Sequence, residues 1–204
     1  AAGTGSVRVA LDAIALAYSK VAREDTRPPE LAHNALVSSI DIARYGELGV
    51  IAEMSPAMWH LGSTPGFEVV NDWFPFRSLI STGATVTIGS DWILTPDPNL
   101  FPALEGAITR RNESVNLTEA IDMMTRNGAT SVGQAHYFGT LEAGKRANLI
   151  VLDRNLFTVS PTDIGQTQVL MTLFEGRPVY VSPAAPTTWL DDARGKATNK
   201  ERVP

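Results

Sequence analysis

The chain has 204 residues, enough to bury a sizeable core, and its 44% hydrophobic and 19% charged residues are typical of a globular protein. A formal charge of -5 leaves no basic surface for nucleic acid, and no run of about 18 apolar residues predicts a membrane span. Because cysteine is absent, disulfides and thiolate metal sites are excluded, which leaves His, Asp and Glu as candidate metal ligands.

The first residues carry no charged and then apolar targeting segment, so we expect a cytoplasmic location. The sequence opens on Ala1-Ala-Gly-Thr-Gly and enters a helical pattern at once. We therefore expect the chain to be part of a larger protein.

The first ninety residues alternate between helical and strand patterns. Apolar residues at helical spacing predict a helix over residues 6–23 with Ser6 as its N-cap, and Ser38, Asp41 and Gly49 mark the ends of a helix over residues 39–48. A short apolar run at 30–36 predicts a strand whose end presents His33. The pattern further predicts strands at 50–56 and 84–88 and a helix at 75–82. Connections this short predict neighbouring parallel strands.

After Asp91 the pattern changes to helices followed by an antiparallel hairpin. We expect helices at 103–111, from an N-cap at Thr118 to 127–128, and at 129–136. A turn then leads into a strand that ends near Asp153, and strands at 169–174 and 178–181 form a hairpin around Glu175-Gly176-Arg177. Residues after Ser182 are rich in Pro, Thr and charge, which is typical of a flexible tail.

Asp91 follows a short β-branched strand bounded by Gly83 and Gly89. Side chains at the ends of parallel strands converge on one crevice, so a carboxylate there is a candidate for catalysis. An aspartate after Gly-Ser also commonly caps a helix or closes an Asx-turn. The strand alone leaves both interpretations open.

Three segments in this order resemble the C-terminal half of the amidohydrolase superfamily. Leu31-Ala-His33-Asn-Ala-Leu-Val-Ser is similar to the sixth barrel strand of its N-substituted formamide deformylase-like branch. Phe74-Pro-Phe-Arg77-Ser-Leu followed by the Asp91 strand resembles the seventh helix and eighth strand. The most specific segment is Gly139-Thr-Leu-Glu-Ala-Gly-Lys-Arg-Ala-Asn-Leu-Ile-Val-Leu-Asp153.

This resemblance implies an α/β fold, the C-terminal part of a (β/α)8 TIM barrel followed by strands of a small β-sandwich domain. It places strands six to eight and their helices in residues 1–144, strands of the small β-domain in 145–183 and a flexible tail in 184–204. It also implies a metal-dependent hydrolase that cleaves amide or cyclic amide C-N bonds. In that family His33 would bind a divalent metal, Zn²⁺ by preference, and Asp91 would be both metal ligand and catalytic residue; a hydrogen-bonded core histidine is the alternative for His33.

Three further residues are candidates for substrate binding: His60, Arg77 and Trp92. His60 and Trp92 follow strands and would lie at the catalytic face. The sequence favours an exposed loop histidine for His60, and core packing is an equal alternative for Trp92. Arg77 would pair with a substrate carboxylate or would brace its own helix.

The metal site implied by the resemblance is incomplete in this sequence. Family members carry further ligands on barrel strands one, four and five, and a catalytic zinc needs three protein ligands. We therefore expect the chain to be inactive without an N-terminal half, its main partner besides a small amide substrate. An open half-barrel exposes strand edges and an apolar face, which predicts a homo-oligomer. The alternatives are a catalytically silent half-barrel scaffold and a small flavodoxin-like binding domain, which lacks support because no glycine-rich phosphate loop follows a strand.

Overall fold

A computed structural model of the chain describes residues 2–21, 27–55, 73–92 and 97–189. Its helices are α1 (Thr4–Lys20), α2 (Ser39–Leu48), α3 (Phe76–Ser81), α4 (Phe101–Thr109), α5 (Leu117–Met124) and α6 (Arg126–Ser131), with a 3₁₀ helix at Pro161–Gln166. Its strands are β1 (Glu30–Leu31), β2 (Ile51–Met54), β3 (Val86–Ile88), β4 (Leu149–Leu152), β5 (Val169–Phe174) and β6 (Arg177–Val181).

The first sheet consists of the parallel strands β1, β2 and β3, in that order. Ala52 pairs with Val86 and Ile51 with Glu30, so the strands run side by side and end at the same edge. Each is joined to the next through a helix, as the sequence predicts. β1 is shorter than the predicted 30–36, because the backbone turns into the left-handed region at His33 and Asn34 immediately after it.

The hydrophobic core forms where helices cover this sheet. Val7 and Leu11 are the buried face of α1, and the helices also bury Tyr45 and Leu79. β2 is buried along most of its length, which is why its sequence is nearly continuous in apolar residues. Burial of these side chains holds the ends of the strands at a fixed edge.

The predicted ends of two early helices are partly wrong. α1 begins at Thr4 after Gly3, and the Ser6 hydroxyl instead donates hydrogen bonds to the Ala2 and Gly3 carbonyls. α2 has the predicted bounds and ends at Gly49 with φ 62°, but Ser38 makes no capping bond with its side chain. The capping box fails because the expected acid at its third position, Asp41, binds arginines instead.

The later helices begin and end earlier than the sequence pattern suggests. The N-cap of α5 is Asn116, not Thr118: its side chain accepts from the Glu119 N–H, and the Glu119 carboxylate accepts from the Asn116 N–H. α5 ends at Met124 because Thr125 has a non-helical backbone, with φ -125° and ψ -87°. α6 therefore replaces the predicted helix at 129–136.

The second sheet is antiparallel, in the order β4, β5, β6. The predicted hairpin is confirmed, and its turn places Glu175 and Gly176 at positive φ. Ala185 is buried, and Trp189 donates a hydrogen bond to the Pro186 carbonyl within the first residues of the predicted tail. The tail residues 190–204 lie outside the described residues. Among the helices that are described, none combines the length and apolar character needed to cross a membrane.

A buried carboxylate joins α1 to α2. The Asp41 side chain is 1% exposed and accepts hydrogen bonds from Arg8 at 2.9 Å and from Arg44 at 3.0 Å. The hydrogen bond from Arg8, with help from Arg44, holds the pKa of Asp41 below its ordinary value against the opposing effect of burial. The ionised carboxylate is therefore bound more strongly in the folded chain than in the unfolded one.

We expect Asp41→Asn to lower the free energy of unfolding by roughly 2–3 kcal/mol at neutral pH, because it removes the charge partner of Arg8 and one of the two carboxylates that bind Arg44. Since folding lowers the pKa of Asp41, this contribution is complete above the unfolded value of about 3.9 and disappears as the pH falls below it. Urea unfolding of both proteins between pH 7 and pH 3 measures the difference. Asp12→Asn is the matched control, because Asp12 pairs with the same Arg44 but is 62% exposed, and it should cost less than about 1 kcal/mol. An equal loss in both variants would contradict the assignment.

Gly46 lies where α2 crosses the end of α3. A Cβ atom added to Gly46 would lie 2.2 Å from the Thr82 carbonyl oxygen, which is backbone and cannot rotate away. We expect Gly46→Ala to destabilise the fold by about 1–3 kcal/mol through this overlap. Gly128 in α6 is the control: a Cβ there meets nothing within 4 Å, so Gly128→Ala should stabilise the helix by about 0.5–1 kcal/mol. Thermal unfolding of the two variants should show shifts of opposite sign.

Candidate metal centre

His33 and Asp91 face each other at the shared edge of the parallel sheet. His33 follows β1, Asp91 follows β3, and His33 Nδ1 lies 3.8 Å from Asp91 Oδ2. Both residues have positive φ, 74° and 45°, so each strand turns sharply at the point where its side chain is presented. The side chains are 39% and 31% exposed, which leaves their lone pairs accessible to a small ligand. The structure thus brings together the two residues that the sequence proposes as metal ligands.

A buried asparagine holds the turn that presents His33. Asn34 is fully buried, and its amide donates hydrogen bonds to the carbonyl oxygens of Leu31 and of Glu53, the latter at 2.7 Å. The Tyr45 hydroxyl donates to Asn34 Oδ1 from α2, and burial raises the pKa of that tyrosine. Asn34 therefore has partners on β1, β2 and α2, which stabilises the left-handed backbone at this turn.

Glu53 places a second carboxylate beneath the candidate centre. Its Oε2 accepts a hydrogen bond from the His33 backbone N–H at 3.1 Å, and both of its oxygens accept from Ser55 Oγ at 3.2–3.3 Å. Burial raises the pKa of Glu53, while the hydrogen bonds from His33 and Ser55 act in the opposite direction. Ser55 Oγ in turn lies 2.9 Å from His33 Nδ1.

Glycine at position 89 leaves the space that the Glu53 carboxylate occupies. A Cβ atom there would lie 2.2 Å from Glu53 Oε1, while the Gly89 N–H donates to the Met54 carbonyl at 3.0 Å. The Glu53 carboxylate consequently contacts the segments that follow all three parallel strands. A side chain at Gly89 would displace it.

The three predicted substrate-binding residues have different surroundings. Trp92 adjoins Asp91 and is 63% exposed, so it is not part of the hydrophobic core. Arg77 binds Glu119 through both ends of its guanidinium, at 2.7 and 2.5 Å, and donates to the Ser114 carbonyl at 3.2 Å. These contacts correspond to the bracing role that the sequence left open for Arg77. His60 lies outside the described residues.

Sequence reasoning missed Glu53, Ser55, Asn34 and Tyr45 as contributors to this site. A signal was present for Glu53, because a charged residue within an apolar strand is rarely buried without partners. Nothing local marked Ser55, whose partners come from another strand and become neighbours only when the sheet forms.

His33 and Asp91 are suitable ligands for a divalent metal, but they form only part of a complete ligand set. Imidazole nitrogen and carboxylate oxygen are both common zinc ligands, and catalytic zinc uses three protein ligands. Within residues 2–21, 27–55, 73–92 and 97–189, no group of three His, Cys, Asp or Glu side chains is close enough to hold a metal. His33 and Asp91 therefore fit two positions of such a site.

Comparison with known proteins shows which family this chain resembles. A model of the amidohydrolase family matches residues 1–180. The N-substituted formamide deformylase of Arthrobacter pascens is 29% identical over 195 residues, and the imidazolonepropionase of Porphyromonas gingivalis is 29% identical over 153 residues. These alignments include 84% and 74% of this chain but only 35% and 34% of the two relatives. The chain thus spans about a third of the length of these relatives.

Solved structures agree on the fold. A zinc-bound adenosine deaminase from Xanthomonas campestris superposes with a TM-score of 0.60 at 16% identity, over 85% of this chain and 43% of the deaminase. The β1–β3 sheet and its helices are therefore an unclosed part of an amidohydrolase TIM barrel, as the resemblance implied. The match to the family model over residues 1–180 shows that this chain belongs to the amidohydrolase family.

Proposed function

We propose that this chain supplies the sixth to eighth strands of a metal-dependent amidohydrolase, with His33 and Asp91 as metal ligands and Asp91 also as catalytic residue. The observation that carries the proposal is that the His33 imidazole and the Asp91 carboxylate lie together at one edge of a parallel sheet, with 3.8 Å between Nδ1 and Oδ2. Either ring nitrogen of a histidine can bind a metal. Strand ends in barrels of this kind are where catalytic groups are placed.

Each proposed residue has a chemical task. A bound Zn²⁺ would lower the pKa of water from about 16 toward about 7, which makes hydroxide available at neutral pH. The Asp91 carboxylate, which is 31% exposed, would accept the proton of the attacking water and return it to the leaving amine. His33 would contribute an imidazole nitrogen and no proton transfer.

The substrate class that we propose is a small amide, formamide or cyclic amide. Its support is the similarity to the relative from Arthrobacter pascens, which is an N-substituted formamide deformylase. Trp92 is available to contact such a substrate because it is exposed beside Asp91. Arg77 would first have to leave Glu119, and a role for His60 stays a prediction.

A catalytically silent half-barrel is the second candidate, and one observation favours it. The described residues bring together two candidate ligands where a catalytic zinc needs three, so the remaining ligand must come from outside them. A residue of this chain outside the described ranges, an N-terminal half or a second copy of the chain would be its source, and both partners stay predictions. Zinc affinity separates the two candidates, since a scaffold has no need of a metal.

We expect this chain to bind Zn²⁺ and each of His33→Gln and Asp91→Asn to weaken that binding by more than about tenfold. Losing even an outer partner of a metal ligand costs about 10–100-fold in affinity, so losing the ligand itself should cost at least as much. Isothermal titration calorimetry with Zn²⁺ measures the effect. His136→Gln is the control, because His136 stacks on Tyr137 in a turn after α6 and should keep the original affinity.

Equal affinity in the original chain and in both variants would contradict the metal site and favour the scaffold. Activity is read separately as formate released from an N-substituted formamide by the zinc-loaded chain. Any release must disappear in Asp91→Asn if the carboxylate moves the proton.

A further inference from the structure

We propose that Glu53 and Ser55 are positioning residues that fix the His33 imidazole in the tautomer with hydrogen on Nδ1 and a free lone pair on Nε2. The contacts that carry this inference lie within the described chain and need no metal. Only its consequence, that Nε2 is the atom offered to a metal, rests on the proposed function.

The contacts connect the three side chains in series. Ser55 Oγ lies 2.9 Å from His33 Nδ1 and 3.2–3.3 Å from the two Glu53 oxygens. Asp91 Oδ2, at 3.8 Å from the same nitrogen, is beyond hydrogen-bond distance. Ser55 is 2% exposed, so bulk water does not compete for its hydroxyl. Nδ1 therefore has Ser55 as its hydrogen-bond partner.

Counting protons decides the direction of these bonds. A serine hydroxyl has one proton to donate, and an ionised carboxylate can only accept. If Ser55 gives its proton to Glu53, its oxygen is left to accept from Nδ1–H of His33. The reverse arrangement would leave Glu53, among the described residues, with only the backbone N–H of His33 as a donor, and would forfeit a charge-assisted hydrogen bond in a half-buried position. The first arrangement is the more stable one.

This arrangement also restrains the ring in space. Glu53 binds the backbone N–H of His33 directly and binds its imidazole through Ser55. One carboxylate therefore restrains both the backbone and the side chain of His33. The carboxylate itself is held in the space left by Gly89, two residues before Asp91. Metal-binding histidines commonly donate their second ring N–H to such an oxygen, which orients the ring and makes the ligand nitrogen more basic.

Long-range proton–nitrogen NMR of the ¹⁵N-labelled chain reads the tautomer of each histidine directly, at about pH 8, where a histidine of ordinary pKa is neutral. His60→Gln and His136→Gln identify the His33 signals. In the original chain we expect His33 to carry its proton on Nδ1. Ser55→Ala should give a mixture of tautomers, and Ser55→Thr, which keeps the hydroxyl, should restore the original pattern.

Glu53→Gln provides the sharpest change. Its amide group can donate to Ser55, which would turn the serine proton toward Nδ1 and shift His33 toward the tautomer with hydrogen on Nε2. Ser131→Ala is the matched control, because Ser131 donates to Glu30 at the other end of β1 and is likewise buried. It should leave the His33 signals unchanged.

An Nε2-protonated His33 in the original chain, or an unchanged tautomer in Ser55→Ala, would overturn the inference. If Ser55→Ala fails to fold, as judged by its backbone amide spectrum, Ser55→Thr and Glu53→Gln still distinguish the outcomes.

Zinc titration adds a second measurement, in which Ser55→Ala should bind zinc about 10–100-fold more weakly and Ser131→Ala should bind it as the original chain does. Absence of zinc binding by the original chain would contradict the prediction that this chain binds zinc by itself and would leave the tautomer result standing.

Discussion

The geometry at the edge of the parallel sheet depends on one half-buried carboxylate, that of Glu53. Taking a carboxylate out of water is costly unless donors replace the water, and here the donors are the His33 backbone N–H and the Ser55 hydroxyl. Both donors belong to segments that follow a strand. Satisfying the charge therefore fixes where β1 and β2 end, and the absence of a side chain at Gly89 lets β3 end against the same group.

Asp41 shows what a carboxylate does when its partners are arginines. Its charge is neutralised by Arg8 and Arg44, its pKa falls, and it joins two helices on the outer side of the sheet. The donors that Glu53 has among the described residues are neutral, and burial raises its pKa. One acid stabilises the packing of helices, whereas the other orients groups at the candidate site, and the chemical nature of the donors accounts for the difference.

The parts of this structure that sequence reasoning predicted are those encoded by neighbouring residues. α2 ends at Gly49 because glycine readily adopts φ 62°, and the turn at Glu175-Gly176 closes its hairpin for a similar local reason. The family resemblance supplied His33 and Asp91 as a pair. Their partners were not predictable, because Glu53 reaches His33 across twenty residues of sequence and Asn34 meets Tyr45 only after α2 packs on the sheet.

The same distinction between local and tertiary contacts explains why the first strand was predicted too long. The run at 30–36 is apolar enough for a strand, but Asn34 makes three side-chain hydrogen bonds that exist only in the turned conformation. Those bonds offset the strain of positive φ at two successive residues other than glycine. Tertiary contacts thus override the local sequence pattern at the position where the chain leaves the sheet to present the candidate ligand His33.

Orientation of His33 and completion of the metal site consequently have different requirements. Within the part of the chain that the structure describes, the contacts that orient the imidazole come from Glu53, Ser55 and the turn at Asn34. Completing a catalytic zinc site needs a ligand from elsewhere. This sheet can therefore hold His33, one of the proposed ligands, in a defined geometry before a complete metal site has formed. Such preorganisation reduces the conformational freedom that metal binding would have to remove.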